Sequence, residues 1–269
     1  MSVDMNIHPT AVVSKKAQLH ESVTVGPFSV IEAGVTIGAG STVATHVRIS
    51  GPTIIGENNT IDSFAALGGA PQDIGYKGEP TELIIGNDNL FREYASIHRG
   101  TVKGGGKTIL GNNNMIMAYA HLGHDCIIGN HVIIVNAAHL SGHTEVADHA
   151  TVGGLTGTHQ FSRIGTFSFI GGGSAVSKDV PPYAMVTGER GQMRISGLNK
   201  VGLRRSGLKR ETISKIDAAY RILFHSPELL HNEALDKAEQ ELGGCAEVDI
   251  LLEFIRSSKR GVVKRTKKS

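Results

Sequence analysis

Seven of the 13 histidines in this sequence fall between residues 121 and 159: His121, His124, His131, His139, His143, His149 and His159. Imidazole changes charge near neutral pH, so it can serve as acid, base or metal ligand. Two chemistries compete for such a cluster. Histidines can hold zinc. A histidine beside a carboxylate can instead act as a general base, the carboxylate fixing its tautomer and stabilising the imidazolium that forms. His124 is followed directly by Asp125, which favours the second. His131 and His149 read equally well as polar residues on exposed turns. Neither cysteine belongs to a CxxC pair, and Cys126 falls at a small, inward-facing position, where it reads as packing rather than as nucleophile or ligand.

The elements that must position these residues are set by a repeat. An aliphatic side chain recurs every six residues from Ile7 through Leu67, resumes at Ile85, Phe91 and Ile97, slips by one residue, and continues from Leu110 to Val176 and Pro182. Glycine often follows it, as at Gly26, Gly38, Gly56, Gly86, Gly111, Gly129, Gly165 and Gly171. A period of six does not fit a 3.6-residue helix. It fits short strands joined by tight turns, where glycine is expected to supply unusual backbone angles. One hexad buries almost nothing, whereas stacked hexads bury a continuous aliphatic column.

Such repeats resemble those of the left-handed parallel β-helix, in which three hexads make one coil of 18 residues. The handedness is taken from that resemblance. Residues 1–187 are expected to form the coil, with projecting loops at 68–84 and 98–109. Stacking at 18 residues sets His121 against His139 and Asp125 against His143, so His121, His124, Asp125 and His143 share one patch. After residue 187 the pattern becomes helical. Ile213, Ile216, Tyr220, Leu223 and Phe224 mark one helix. Ser226-Pro227 reads as the cap and first turn of a second, which stops at Gly243-Gly244, and Val248 to Ile255 mark a third. The fold expected is therefore mainly β: a left-handed parallel β-helix of hexapeptide repeats, followed by a small α-helical C-terminal domain over 188–269.

Composition agrees with a narrow aliphatic interior: aromatic residues are 5%, tryptophan is absent, and there are 34 glycines. No apolar run is long enough to span a membrane, and the opening MSVDMNIHPT carries no secretory pattern. The expectation is a reduced, cytoplasmic protein. Residues 1–187 carry 10 Lys/Arg against 14 Asp/Glu, a net of −4, while residues 188–269 carry 17 against 11, a net of +6. The C-terminal part should attract an acidic partner. Nucleic acid is not expected, because no recognition motif accompanies the charge, and the terminal KRTKKS reads as a solvated tail.

The runs AHLGHDCIIGN (120–130), IHRGT (97–101), QDIGYKGEPT (72–81), LSGH (140–143), THQF (158–161) and DVPPY (179–183) resemble the UDP-N-acetylglucosamine O-acyltransferase family, over nearly the whole chain. The resemblance implies transfer of a 3-hydroxyacyl chain from acyl carrier protein to the sugar 3-hydroxyl, the first step of lipid A synthesis. It implies His124 as general base, Asp125 as its orienting carboxylate and the Gly142 N–H as oxyanion donor. His121, His143, His159 and Gln160 would line the cleft, with Gln72 and Asp73 from the projecting loop. It implies a homotrimer with sites between subunits, no cofactor and no metal. Gly172 stands where the family limits acyl length and leaves room for a longer chain. Asn199, Arg204 and Arg205 match nucleotide-contacting positions. Two positions depart from the pattern. Gly75 stands where the family has lysine, with Lys77 as candidate substitute, and Ser206 replaces a third basic residue. Alternatives are an N-acyltransferase acting on the 3-amino sugar, a γ-type zinc carbonic anhydrase of the same fold, and a non-catalytic scaffold.

Overall fold

The computed structural model describes residues 6–189, 191–226 and 229–264. Its short strands sort by turns into three parallel sheets, the sides of a prism. The first sheet runs from Val12–Val13 to Ala175–Val176, the second from Gln18–Leu19 to Arg163–Ile164, and the third from Thr24–Val25 to Ala184–Thr187. This is the left-handed parallel β-helix of hexapeptide repeats. The hexad residues point inward, with Ile31, Ile49, Ile61, Leu67, Ile97, Leu122 and Leu140 all fully buried. Small side chains such as Ser29, Ala65, Ala120 and Cys126 fill the spaces between them. Thr158, polar at an inward position, accepts from the Ser141 N–H and pairs with the Thr144 hydroxyl.

Four expectations need correction. First, the glycines that follow the aliphatic residues are not there for positive φ. A Cβ on Gly26 or Gly38 would lie 2.7 Å from backbone of the next coil, so those glycines permit close stacking. The positive φ falls two residues later, on Phe28, His46, Asn58, Phe64, Tyr94, Asp125 and His143 among others. Bulky residues rarely adopt that conformation, and here neighbouring rings stabilise it by stacking, as Phe64 on Tyr94 and Tyr94 on Tyr119 do at 4.9 and 4.8 Å. Second, the strands outlast the expected loop edges. They reach Gly69 and His98 and restart at Glu82 and Lys107, so the excursions are 70–81 and 99–106. Third, Pro182 is buried but off the column. After Val176 the coil shortens, and Val180 bridges to Ile164 while Val186 pairs with Ile170. Asp179 draws the chain in by accepting from the Arg163 N–H.

Fourth, the segment after residue 187 does not begin with helix. Arg194–Leu198 adds an antiparallel strand to the third sheet. Then follow α1 (Lys200–Arg205), α2 (Arg210–His225), α3 (His231–Leu242) and α4 (Ala246–Arg256). Ser226 follows the end of α2 rather than opening α3, and Pro227 lies outside the described residues. Ile216, Ala219, Tyr220, Leu251 and Leu252 bury this helical layer, and the Tyr220 hydroxyl donates to the Pro182 carbonyl. Val262 bridges back to Asp179. The basic terminus from Arg265 onward is outside the described residues.

Candidate active site

The site is built on the corner between the first and second sheets. Leu122 points inward; Gly123 and His124 then open the turn, and Asp125 closes it with φ 60°. Asp125 is 4% exposed, and every part of its carboxylate is occupied. Oδ1 accepts from the Thr101 N–H at 2.7 Å. Oδ2 accepts from the Thr101 hydroxyl at 2.7 Å and from His124 Nδ1 at 2.7 Å. The Asp125 N–H donates to the Thr108 hydroxyl. A buried carboxylate needs such partners. With Nδ1 donating to Asp125, Nε2 of His124 keeps its lone pair. That is the tautomer a general base requires.

One coil later, Gly142 occupies the turn position equivalent to His124, and His143 that of Asp125. A Cβ on Gly142 would lie 2.5 Å from Cε1 and 2.7 Å from Nε2 of His124, so only glycine leaves space for the ring. The Gly142 N–H donates to no acceptor among the described residues. His143 places Nε2 3.7 Å from Asp125 Oδ2 and stacks on Phe161 at 4.3 Å. Burial lowers the His143 pKa, with Asp125 working against that shift and Asp73 also raising it. The loop carboxylate of Asp73 is thus close enough to act on this imidazole.

On the outer face of the first sheet, Ser96, His121, His139, Gly157 and Ala175 stack in register. His121 shares a hydrogen bond with the Ser96 hydroxyl at 2.8 Å and packs edge-on against His98. Burial, then the neighbouring imidazoles of His98, His139 and His124, holds the His121 pKa down to about 4. It is neutral at physiological pH. His159 and Gln160 continue along the same corner as His124, both exposed, and Arg260 donates to the Gln160 carbonyl. Gly172 lies on the corner at the other edge of the first sheet. Burial pushes the Cys126 thiol up to about 12, which leaves it un-ionised and inert.

Three expected residues lie elsewhere. Asn199 caps α1, accepting from the Gly202 N–H and donating to the Phe167 carbonyl on the corner between the second and third sheets. Arg204 and Arg205 follow it, exposed, on α1. His131 and His149 also belong to that corner, where His131 stacks on His149 and His149 on Phe167, away from the His124–Asp125 pair. Gln72 is exposed on the 70–81 loop. Tyr76 anchors that loop by accepting from Arg99, which also donates to the Gly51 and Gly68 carbonyls. Lys77 is tied through its N–H to Glu79.

Sequence reasoning assigned no role to Thr101, Gly104, Thr108, Phe161 or Lys103. Phe161 follows His143 by one 18-residue coil and was findable by stacking. Thr101, Gly104 and Lys103 lie on the irregular 99–106 excursion, where no period applies. Gly104 abuts Asp125, since a Cβ there would lie 2.1 Å from its carboxyl carbon.

Among the described residues, His124, Asp125 and His143 are the one group whose ligand atoms come within 4.8 Å of one another. It is two imidazoles and a carboxylate, not three imidazoles. A cation on Asp125 would displace hydrogen bonds from Thr101 and His124. The donor set therefore fits a dyad better than a metal centre.

Comparisons with known proteins show the family. Residues 179–263 match the family model described as UDP-N-acetylglucosamine O-acyltransferase, domain 2. Residues 16–51 and 107–142 match the bacterial transferase hexapeptide model. The chain is 50% identical to the acyl-[acyl-carrier-protein]--UDP-N-acetylglucosamine O-acyltransferase of Myxococcus xanthus, over 96% of this chain and 99% of that protein. It is 49% identical to the protein of the same description from Syntrophobacter fumaroxidans, over 97% and 100%. Among solved structures, LpxA from Acinetobacter baumannii superposes with a TM-score of 0.92 at 41% identity, covering 96% of this chain and 99% of that one. The Francisella novicida UDP-N-acetylglucosamine acyltransferase gives 0.92 at 38%, covering 97% and 95%. No described helix is long and apolar enough to cross a membrane.

Proposed function

The chain belongs to the UDP-N-acetylglucosamine O-acyltransferase family, and from that premise we propose that His124 is the base that drives its acyl transfer. The enzyme moves a 3-hydroxyacyl chain from acyl carrier protein to the 3-hydroxyl of UDP-N-acetylglucosamine, the first step of lipid A synthesis. The observation that carries the role of His124 is its Nδ1 bond to a carboxylate already saturated by Thr101.

Nε2 of His124 takes the proton of the sugar 3-hydroxyl as its oxygen attacks the thioester carbon. The Gly142 N–H receives the oxyanion, an interaction strengthened where water is excluded. A C–O bond forms. The C–S bond then breaks, and the imidazolium proton passes to the departing thiolate, which restores neutral His124. Neutral His121 and His143 add hydrogen bonds without repelling the imidazolium. The acyl chain runs along the first sheet, where Gly157 and Ala175 leave an open floor and Gly172 forms its edge.

The enzyme works in the cytoplasm as a homotrimer. Asn199, Arg204 and Arg205 stand at a different corner from His124, so completing one site requires a second subunit to bring them in. The second sheet offers a surface for that contact, because Ile54, Ile84, Ile109 and Ile127 stack on its outer face beside the catalytic corner. Ile54 and Ile127 are 47% and 49% exposed in the single chain, and an apolar stripe of this kind marks an interface.

The deciding experiment is His124→Ala, assayed with loaded acyl carrier protein and UDP-N-acetylglucosamine, with the 3-amino sugar nucleotide as the parallel acceptor. Turnover falls by about 10²–10⁴-fold with the fold intact. Near wild-type kcat in a folded variant would refute the mechanism. Preference for the amino sugar would make the enzyme an N-acyltransferase.

A further inference from the structure

The two excursions that interrupt the hexads meet at one point, and a lysine lies there. Thr101 caps a 3₁₀ turn over Val102–Gly104 while also holding Asp125 by its N–H and hydroxyl. Gly104 lies flush against the same carboxylate. Lys103 therefore springs from a turn clamped to the catalytic dyad. Its ammonium crosses to the other loop, where Nζ lies 3.3 Å from the position of a Cβ on Gly75. Asp73 Oδ1 lies 3.1 Å from that same point and accepts from the Gly75 N–H. No atom of Lys77 comes as close, so Lys77 is not the residue that fills the space beside Gly75.

Among the described residues Lys103 forms no ion pair within 4.0 Å, Asp73 included. The Lys103 ammonium thus stands at the lip of the cleft beside Asp73 without a direct ion pair to it. Both substrates carry phosphate, the sugar nucleotide in a diphosphate on the same ring as the reacting hydroxyl and the carrier at the far end of its phosphopantetheine arm from the thioester. Lysine binds phosphate as a compact point charge.

We propose that Lys103 is a substrate-binding residue that holds a phosphate over Gly75, at the mouth of the cleft. The proposal rests on the acyl-transfer reading above. The missing side chain at Gly75 is what opens the space, and the cation reaches it from the second loop instead of the first.

The test measures KM for each substrate separately in Lys103→Ala and Lys103→Gln. Loss of one charged phosphate contact raises the KM of the substrate concerned about tenfold, with kcat changed less and the effect shrinking at high salt. A rise for the sugar nucleotide assigns its diphosphate; a rise for the carrier assigns the pantetheine phosphate. The Lys103→Ala, Gly75→Lys double variant regains part of the lost affinity, because a lysine at 75 returns an ammonium to the same lip of the cleft from the other loop. Wild-type turnover with both KM values unchanged in the two single variants would overturn the proposal. So would a loss confined to kcat, which would make Lys103 a support for the Thr101 turn. Absence of wild-type turnover would instead refute the acyl-transfer reading.

Discussion

Replacing Gly142 by alanine tests the site with a single methyl group. The Gly142 backbone does not lie at positive φ, so alanine is tolerated there and the coil should fold. The new Cβ would lie 2.5 Å from Cε1 of His124, whereas ordinary contact begins near 3.4 Å. Either the imidazole or the turn must give way by about 0.9 Å. The turn is held by the stack, and the His143 N–H already donates to the His124 carbonyl. The ring is therefore the part that moves, and it moves against the Asp125 bond. A displacement of roughly 1 Å at a reacting group costs about 10²-fold in rate, equivalent to about 2.7 kcal/mol. The assay is kcat with both substrates saturating, beside a thermal melt of the same protein. The Gly142 N–H survives the substitution, so the loss reports the ring and not the oxyanion donor. In a His124→Ala background the same change should then cost little, since groups acting as one unit are not additive. A folded Gly142→Ala enzyme within threefold of wild-type kcat would refute the geometry, as would a full additional loss in the double variant.

Other outcomes follow from the same structure. His121 is held down to about 4 by burial and its neighbouring imidazoles, against about 6.5 when unfolded. The unfolded chain therefore binds the extra proton first, so stability is complete above about pH 6.5 and declines as pH falls toward 4. His98 and His143 shift in the same direction. Urea midpoints should drop between pH 7.5 and pH 5, less steeply in His121→Asn; a flat profile would contradict this. Sedimentation should show a trimer, and Ile109→Glu with Ile127→Glu should give smaller species; a wild-type monomer at working concentration would remove the shared-site reading. The basic surface of α1 and α2 should dock the acidic carrier. Lys200 and Arg221 share the carboxylate of Asp217, whereas Lys209 and Arg210 have no ion pair among the described residues. Reversing both charges should raise carrier KM at low salt, where the Debye length is ~10 Å at 0.1 M, and less at high salt. An unchanged KM would return that charge to solvent.

The period of six pointed by itself to short stacked strands around an aliphatic column, because each inward position repeats within a few residues and needs no distant partner to be recognised; three hexads to a coil and the left hand were implied by the resemblance. The same regularity grouped the candidate residues: His124 adjoins Asp125 in sequence, and stacking at 18 residues brings His143 against them, whereas Gly142 was implied only by the resemblance. Helical spacing likewise revealed α2 and α4, while the strand Arg194–Leu198 escaped notice because only the sheet edge it covers gives it a partner. The reason for each glycine could not be read from sequence, since positive φ and close approach both favour the same residue and only the neighbouring coil distinguishes them. Tertiary structure also decided what completes the dyad. Thr101, Gly104 and Lys103 come from an excursion without period, whose path is set by hydrogen bonds to Asp125 rather than by local preference. It decided, too, that Asn199 and the arginines of α1 stand at another corner. Motif order along a chain carries no record of which edge of a prism its last strand will join; that is determined by which apolar surface and which unpaired backbone remain to be covered.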